Sequence, residues 1–415
     1  MLETPQRIEP ARLEEIPEAL GDLVADLSAL TAQLQTALRP ATAASLARMV
    51  RIMNTYYSNL IEGHVTRPRD IERALANSPA AKDLPRTAAI EGTVAGELPA
   101  ASHHRNLLIE AVAHVRVQEQ IDRRFGDGSL PEPGSVDFIK FLHREFYRGA
   151  PPEMLRVRGT TGSFQMEPGK FREKPEEDVA VGRHVPPSSE RTADFMAYFE
   201  SRYAFLRLGK AARILAIPAA HHRFNFIHPF PDGNGRVSRL MSHAMAHAAG
   251  IGAHGLWSVS RGLARGLDGR SDYKMMMNHA DMPRQGDLDG RGTLSQRALI
   301  DFMTWFLKVC IDQVSFMSGL FEVGTLSRRL RNVVKQSGAL RPEAGNILEE
   351  ALLRGEVDRG EMARITGLPE RSARRVLADT IGEGLLDSKT PKGPVSLRFP
   401  VPFQDTLFPL LFAGQ

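Results

Sequence analysis

Cysteine is nearly absent: Cys310 stands alone in 415 residues, which excludes an internal disulfide and a thiolate metal cluster and fits a reducing compartment. No run approaches the roughly 18 consecutive apolar residues of a membrane span. The opening stretch, MLETPQRIEPARLEEIPEAL, carries acids and prolines where a secretory signal needs a basic start and an apolar run. A cytoplasmic protein without membrane contact is therefore expected. Internal repeats and low-complexity tracts are missing as well. Charge of one sign is also scarce. The net +4 lies wholly in residues 325–400, which hold 14 Lys and Arg against 10 Asp and Glu, while the rest of the chain balances at 39 each. A surplus this small does not by itself establish a nucleic-acid partner.

What is present is an ordinary globular composition, 42% hydrophobic and 25% charged, on a chain too long for one typical core. Segments 21–38, 101–124, 192–220, 236–250 and 295–320 are rich in Ala, Leu, Met and Arg and read as helices broken by Pro and Gly clusters. Two stretches depart from that pattern: GSFQMEPGKFREKPEEDVAVGRHVPP at 162–187 and KTPKGPVSLRFPV at 389–401 place turn formers between short apolar runs and predict hairpins. The reading is all-α with small hairpins, divided into a helical region 1–100, a main body 101–322 and a smaller unit 325–402. The basic helix SRRLRNVVKQ near the last boundary fits either side.

The densest chemistry lies in HPFPDGNGRVSR, residues 228–239. Downstream, Val237, Leu240, Met241, Ala244, Met245 and Ala248 recur at helical spacing and Gly250 supplies a stop, so a helix is expected from about 236 to 249. The backbone N–H groups of Gly233, Asn234 and Gly235 would then form an anion-binding nest at its positive end. Arg236 and Arg239 could meet further phosphate oxygens, and Asp232 offers a hard oxygen ligand suited to Mg²⁺.

These twelve residues match His-x-Phe-x-Asp/Glu-Gly-Asn-Gly-Arg-x-x-Arg at all eight specified positions, and the chain resembles the Fic family. HHRFNFIHPF resembles the helix leading into the family's motif, although Asn225 stands where many relatives carry Glu. PGKFRE followed by VAVGRHVPP resembles its flap. The resemblance implies a Fic helical core with a small hairpin flap. It further implies AMP transfer from Mg·ATP to a Ser, Thr or Tyr hydroxyl of a protein, whether another protein or the chain itself. His228 would act as general base, Asp232 would hold Mg²⁺, and Gly233, Asn234, Gly235, Arg236 and Arg239 would hold the phosphates. Phe230 would anchor the loop. Val179, Ala180, Val181 and Gly182 would dock the target by strand addition. Gly235 favours AMP transfer over the kinase-like branch, which carries a bulkier residue there. Tyr273 reads equally as core or as adenine pocket, whereas His221 and His222, adjacent on a helix, read as structural.

Upstream, Ser58, Glu62 and Gly63 in NTYYSNLIEGHVT match the family's Ser/Thr-x-x-x-Glu-Gly/Asn inhibitory helix, expected over about 52–63. The resemblance implies that Glu62 pairs with Arg239 and keeps the γ-phosphate from its productive pose. In relatives that remove AMP, such a glutamate orients a water, so deAMPylation stays open. At the other end, DRGEMARITGLPERSARRVLADTIGEGLL has the helix, Gly turn and helix of a winged helix-turn-helix. Arg371, Arg374 and Arg375 share one face of it, and Leu368, Val376 and Leu377 turn inward. DNA contact and protein docking both remain open, as does an ATP-sensing DNA-binding regulator in place of an enzyme.

Overall fold

Side-chain caps fix the start of several helices. The computed structural model describes residues 3–77, 102–159, 162–182 and 184–412. The expected boundary near residue 100 lies outside these residues, as does Arg183 in the flap. The helices are α1 (Glu18–Thr36), α2 (Pro40–Ile61), α3 (Pro68–Asn77), α4 (Ser102–Gly126) and α5 (Val136–Phe146), then strands β1 (Arg156–Arg158) and β2 (Ser163–Gln165). Next come α6 (Thr192–Arg202), α7 (Lys210–Ile227), α8 (Asn234–Ala248), α9 (Val259–Arg265), α10 (Asp272–Ala280) and α11 (Gln296–Leu320). The chain continues through α12 (Val323–Gln336), α13 (Ala344–Arg354), β3 (Glu356–Val357), α14 (Met362–Thr366), α15 (Glu370–Gly382), β4 (Leu386–Asp387), β5 (Val395–Leu397) and α16 (Val401–Leu407). The fold is thus all-α with small strand pairs, and no described helix is long and apolar enough to cross a membrane.

Ser135 caps α5 by accepting the Phe138 N–H, Ser295 caps α11 from Ala298, and Glu322 caps α12 from Gly324 and Thr325. Each satisfies donors that the first turn would leave bare. The stretch 192–220, expected as one helix, is two: α6 ends at Arg202, a 3₁₀ turn over Phe205–Arg207 follows, and Gly209 caps α7. A continuous apolar pattern hid the break. The hairpin expected over 162–187 is displaced. β2 pairs backwards with β1 in antiparallel register, Val157 opposite Phe164, and the later residues form a loop with one bridge between Val181 and His184.

The core sits where α7 and α8 pack together, with α4 and α5 on one side and α11 on another. Helix α2 runs past this core. Near its start, Thr42 and Ser45 bond to the carbonyls of Leu352 and Leu397; near its end, the Tyr57 hydroxyl donates to the Leu411 carbonyl. The C-terminal elements therefore lean on α2 along its length. In that unit α12 packs on α13 and α16, and β5 lies between β3 and β4 in an antiparallel sheet. The arms of the last hairpin are shorter than expected, because 388–394 form its loop.

Candidate active site

The loop between α7 and α8 is shaped by two left-handed residues. His228 ends α7 at φ 52°, and Gly233 precedes α8 at φ 82°. A non-glycine residue in that region costs about 1 kcal/mol or more, so His228 is held there by its surroundings. Arg172 is the clamp. Its Nε donates to the His228 carbonyl at 2.8 Å, its other nitrogens reach Ser189, Asp178 and the Pro187 and Ile227 carbonyls, and its own N–H meets the Pro229 carbonyl at 2.9 Å. Phe230 is fully buried and stacks on the His143 ring at 3.9 Å. The Asn234 side chain accepts from the Phe230 N–H at 2.9 Å and donates to its carbonyl at 2.7 Å, so it closes the loop and does not face outward.

Burial, with the nearby Arg172 charge, pushes the His228 imidazole down to about 4, which leaves it neutral at physiological pH. Asp232, its side chain 47% exposed, accepts from the Tyr147 hydroxyl at 3.0 Å and from the Gly233 N–H at 2.7 Å. One of the three expected nest donors is therefore taken by the loop's own carboxylate. Burial acts to raise the Asp232 carboxyl, but Arg236 and these donors outweigh it and hold it low.

The two arginines, expected to point from adjacent positions, are parted by their partners. Arg236 turns to α4 and α5, with Glu110 at 2.5 Å and Asp232 at 3.3 Å. Arg239 turns to α2: Nε donates to Ser58 Oγ at 2.9 Å, and Nη2 donates to the Ser58 carbonyl at 3.1 Å and to Glu62 Oε1 at 2.6 Å. Glu62 follows the last turn of α2, and Gly63 leaves it at φ 85°, so the helix begins twelve residues before the expected 52. Burial would raise the Glu62 carboxyl, yet Arg239 and Arg236 hold it below its usual value. Its carboxylate lies over the start of α8, where a Cβ added to Gly235 would come within 2.4 Å of Oε1.

Tyr273 belongs to the core and not to an open pocket wall. It is 8% exposed, its hydroxyl lies 2.8 Å from His221 Nε2, and its ring stacks on Trp305. His221 also meets Ser242, and His222 meets Asp281 and the Met277 carbonyl. Val179, Ala180, Val181 and Gly182 lie on the loop that follows Asp178, which Arg172 ties to the His228 loop. Val181 and Val185 are exposed there, while His184 bonds to the Phe226 carbonyl at 2.7 Å. Sequence reasoning missed Arg172, Glu110, Tyr147 and His143. None sits at motif spacing, and only PGKFRE, which contains Arg172, carried any local signal.

Three neutral histidines inside this framework imply an acid limit. His114, His143 and His221 are fully buried, and burial lowers them to about 3, about 4 and about 3. Unfolded, each binds a proton below about 6.5, so the unfolded state holds more protons and stability falls as pH drops through 6.5 towards 4. Each contributes up to about 1.4 kcal/mol per pH unit. Urea unfolding between pH 7 and 4.5 should show a steeply falling midpoint; a flat profile would contradict the neutral assignment.

Against this geometry, the Fic/DOC family model matches residues 133–246. The chain is similar to the protein adenylyltransferase Fic of Aedes aegypti, 38% identical over 89 residues, covering 20% of this chain and 16% of that protein. It is similar also to that of Drosophila virilis, 36% identical over 85 residues, covering 20% and 17%. The match thus spans about one sixth of these relatives. A Fic family protein from Desulfovibrio desulfuricans G20 shares the fold with a TM-score of 0.51 at 17% identity, covering 94% of this chain and 98% of that one. The matched residues hold α7, nearly all of α8, the loop between them and its Arg172 clamp, and it is over this segment that the chain is similar to the Fic/DOC family.

Proposed function

We propose that this chain is a protein adenylyltransferase that moves AMP from Mg·ATP to a Ser, Thr or Tyr hydroxyl, held in check by Glu62. The observation that carries the reading is the neutral, buried His228 beside a half-exposed Asp232 carboxylate and Gly235 at the start of α8, with the Glu62 carboxylate lying over it. These residues fit a nucleotide and its ion: the lack of a Cβ at Gly235 leaves room for an anion where the Glu62 carboxylate now lies. Asp232 would hold Mg²⁺, which when bound neutralises phosphate charge. His228 takes the proton of the target hydroxyl as its oxygen bonds to the α-phosphorus, the bond from that phosphorus to the bridging oxygen breaks, and pyrophosphate leaves. The backbone around Asn234 would stabilise charge on the α-phosphate, and Arg239, once released from Glu62, would meet the γ-phosphate. Arg236, tied to Glu110, would act mainly by holding Asp232.

The exposed Val181 and Val185 support docking of an extended target along the flap by main-chain pairing. For residues 325–402, the order β3–β5–β4 beside α13, α14 and α15 supports a winged helix. Arg371, Arg374 and Arg375 are exposed on α15, a face open to DNA or to a protein.

The test is mass spectrometry of the purified chain and of lysate proteins after incubation with Mg·ATP. A mass gain of one adenylyl group on a hydroxyl residue is expected. Loss of that group from pre-modified protein, with no gain, would point to the reverse reaction.

A further inference from the structure

Away from the His228 loop, the fold brings three metal-ligating side chains to one point. His243 and His247 stand one turn apart on α8, and their Nε2 atoms lie 3.2 Å from each other. Both face the same oxygen, Asp122 Oδ1 on α4, at 2.6 and 3.0 Å. The three side chains thus bring three ligand atoms into one compact triangle. A tetrahedral ion with bonds of about 2.0–2.1 Å has ligand atoms roughly 3.3 Å apart, so this triangle is a contracted face of such a site, and its shortest edge would open when an ion enters.

Burial and one outer contact hold these side chains in place. His243 is 7% exposed and His247 1%, so both rings are fixed, and Phe125 packs on His247 at 4.5 Å. The second oxygen of Asp122 accepts from Arg51 Nε at 2.7 Å, the kind of outer contact that orients a ligating carboxylate. Asp122 and His247 line a groove of about 880 Å³, which gives solvent access to a further ligand position.

We propose that Asp122, His243 and His247 bind one divalent transition-metal ion, with zinc the best match and the fourth position left to water. Two imidazoles with one carboxylate suit zinc or cobalt, whereas Mg²⁺ and Ca²⁺ prefer all-oxygen sets. No residue is shared with the Mg²⁺ site assigned to Asp232. The ion links α4 to α8, the helices that carry Glu110 and Arg236, and through Arg51 it reaches α2.

The experiment uses the untagged full chain, stripped with a chelator and titrated with Co²⁺ without nucleotide. One equivalent should bind, with the intense visible absorption of a four- or five-coordinate ion, and Zn²⁺ should displace it and raise Tm. His243→Gln and His247→Gln should each weaken binding at least about tenfold, while Asp232→Asn leaves it intact. Folding of each variant is checked by circular dichroism, and the wild-type cobalt spectrum stands independently of them. Absence of stoichiometric binding, a weak octahedral spectrum, unchanged affinity in both folded histidine variants, or loss of binding in Asp232→Asn would each overturn the proposal.

Discussion

His228→Ala is expected to cut AMP incorporation by about 10²–10⁴-fold, the usual contribution of a positioned general base, while Mg·ATP affinity stays close to wild type. The separation follows from the geometry. The groups assigned to hold the nucleotide are the Asp232 carboxylate, the Gly233–Gly235 backbone and Arg239, and their positions are set by the Asn234 side chain, Tyr147 and Arg172. Removing the imidazole leaves all of those contacts in place. The comparison is best made with Glu62 also replaced, so that a low starting rate does not mask the loss. Labelled-AMP incorporation and calorimetric ATP binding are the two readouts. Equal incorporation by the folded Ala variant would sink the mechanism. Because burial pushes His228 to about 4, the acid limb of the transfer rate should fall well below the ordinary histidine value of about 6.5. An acid limb at 6.5 would mean the ring is solvated in the working enzyme.

Glu62→Gly is expected to raise incorporation by about ten- to several hundred-fold, more than it raises ATP affinity. Glu62 acts twice in the structure. It occupies the Arg239 guanidinium at 2.6 Å, and its carboxylate lies over Gly235 at the positive end of α8. A γ-phosphate arriving there meets a like charge and loses a charge-assisted contact of about 1.5–3 kcal/mol. ATP then binds with its α-phosphorus off the line of attack, and a misplacement of about 1 Å can cost on the order of 10²-fold in rate. Freed of Glu62, Arg239 keeps its two Ser58 contacts, so it stays oriented. Loosening of α2 is a confounder, since Glu62 caps the helix in helical geometry while Gly63 already takes the left-handed position after it. Glu62→Gln removes the charge at constant size and should give a rise in the same direction. Wild-type incorporation by both variants at saturating Mg·ATP, with circular dichroism unchanged, would remove Glu62 from any inhibitory role.

Much of the candidate site was legible because its parts are local. His228, Asp232, Gly233, Asn234, Gly235, Arg236 and Arg239 lie within twelve residues, and helical periodicity after Val237 marks the helix that presents them. The helix boundary at Ser295 follows from capping chemistry readable in one dimension. Where the reading went astray, the cause was a choice between alternatives of similar local cost. The apolar pattern of 192–220 runs through a break at Tyr203, and Ser163–Gln165 pairs backwards with β1 in place of forwards with the flap. Tyr273 could have lined a pocket or the core on its sequence alone; packing on Trp305 and the bond to His221 put it inside.

By itself, then, the sequence determined the helical character of the chain, the loop chemistry of residues 228–239 and the presence of a carboxylate at Glu62, because each depends on near neighbours and fixed spacing. The tertiary structure decided where the other charges ended. Arg236 and Arg239 are three residues apart; the pairing of Arg239 with Glu62 was implied by the resemblance, whereas nothing in the sequence marked Glu110, more than a hundred positions away, as the partner of Arg236. The same holds for Arg172, which clamps the His228 carbonyl from 56 residues upstream, and for Asp122, brought onto His243 and His247 by the packing of α4 against α8. A buried charge must find a partner, but which partner depends on how the helices pack, and that is a property of the whole core.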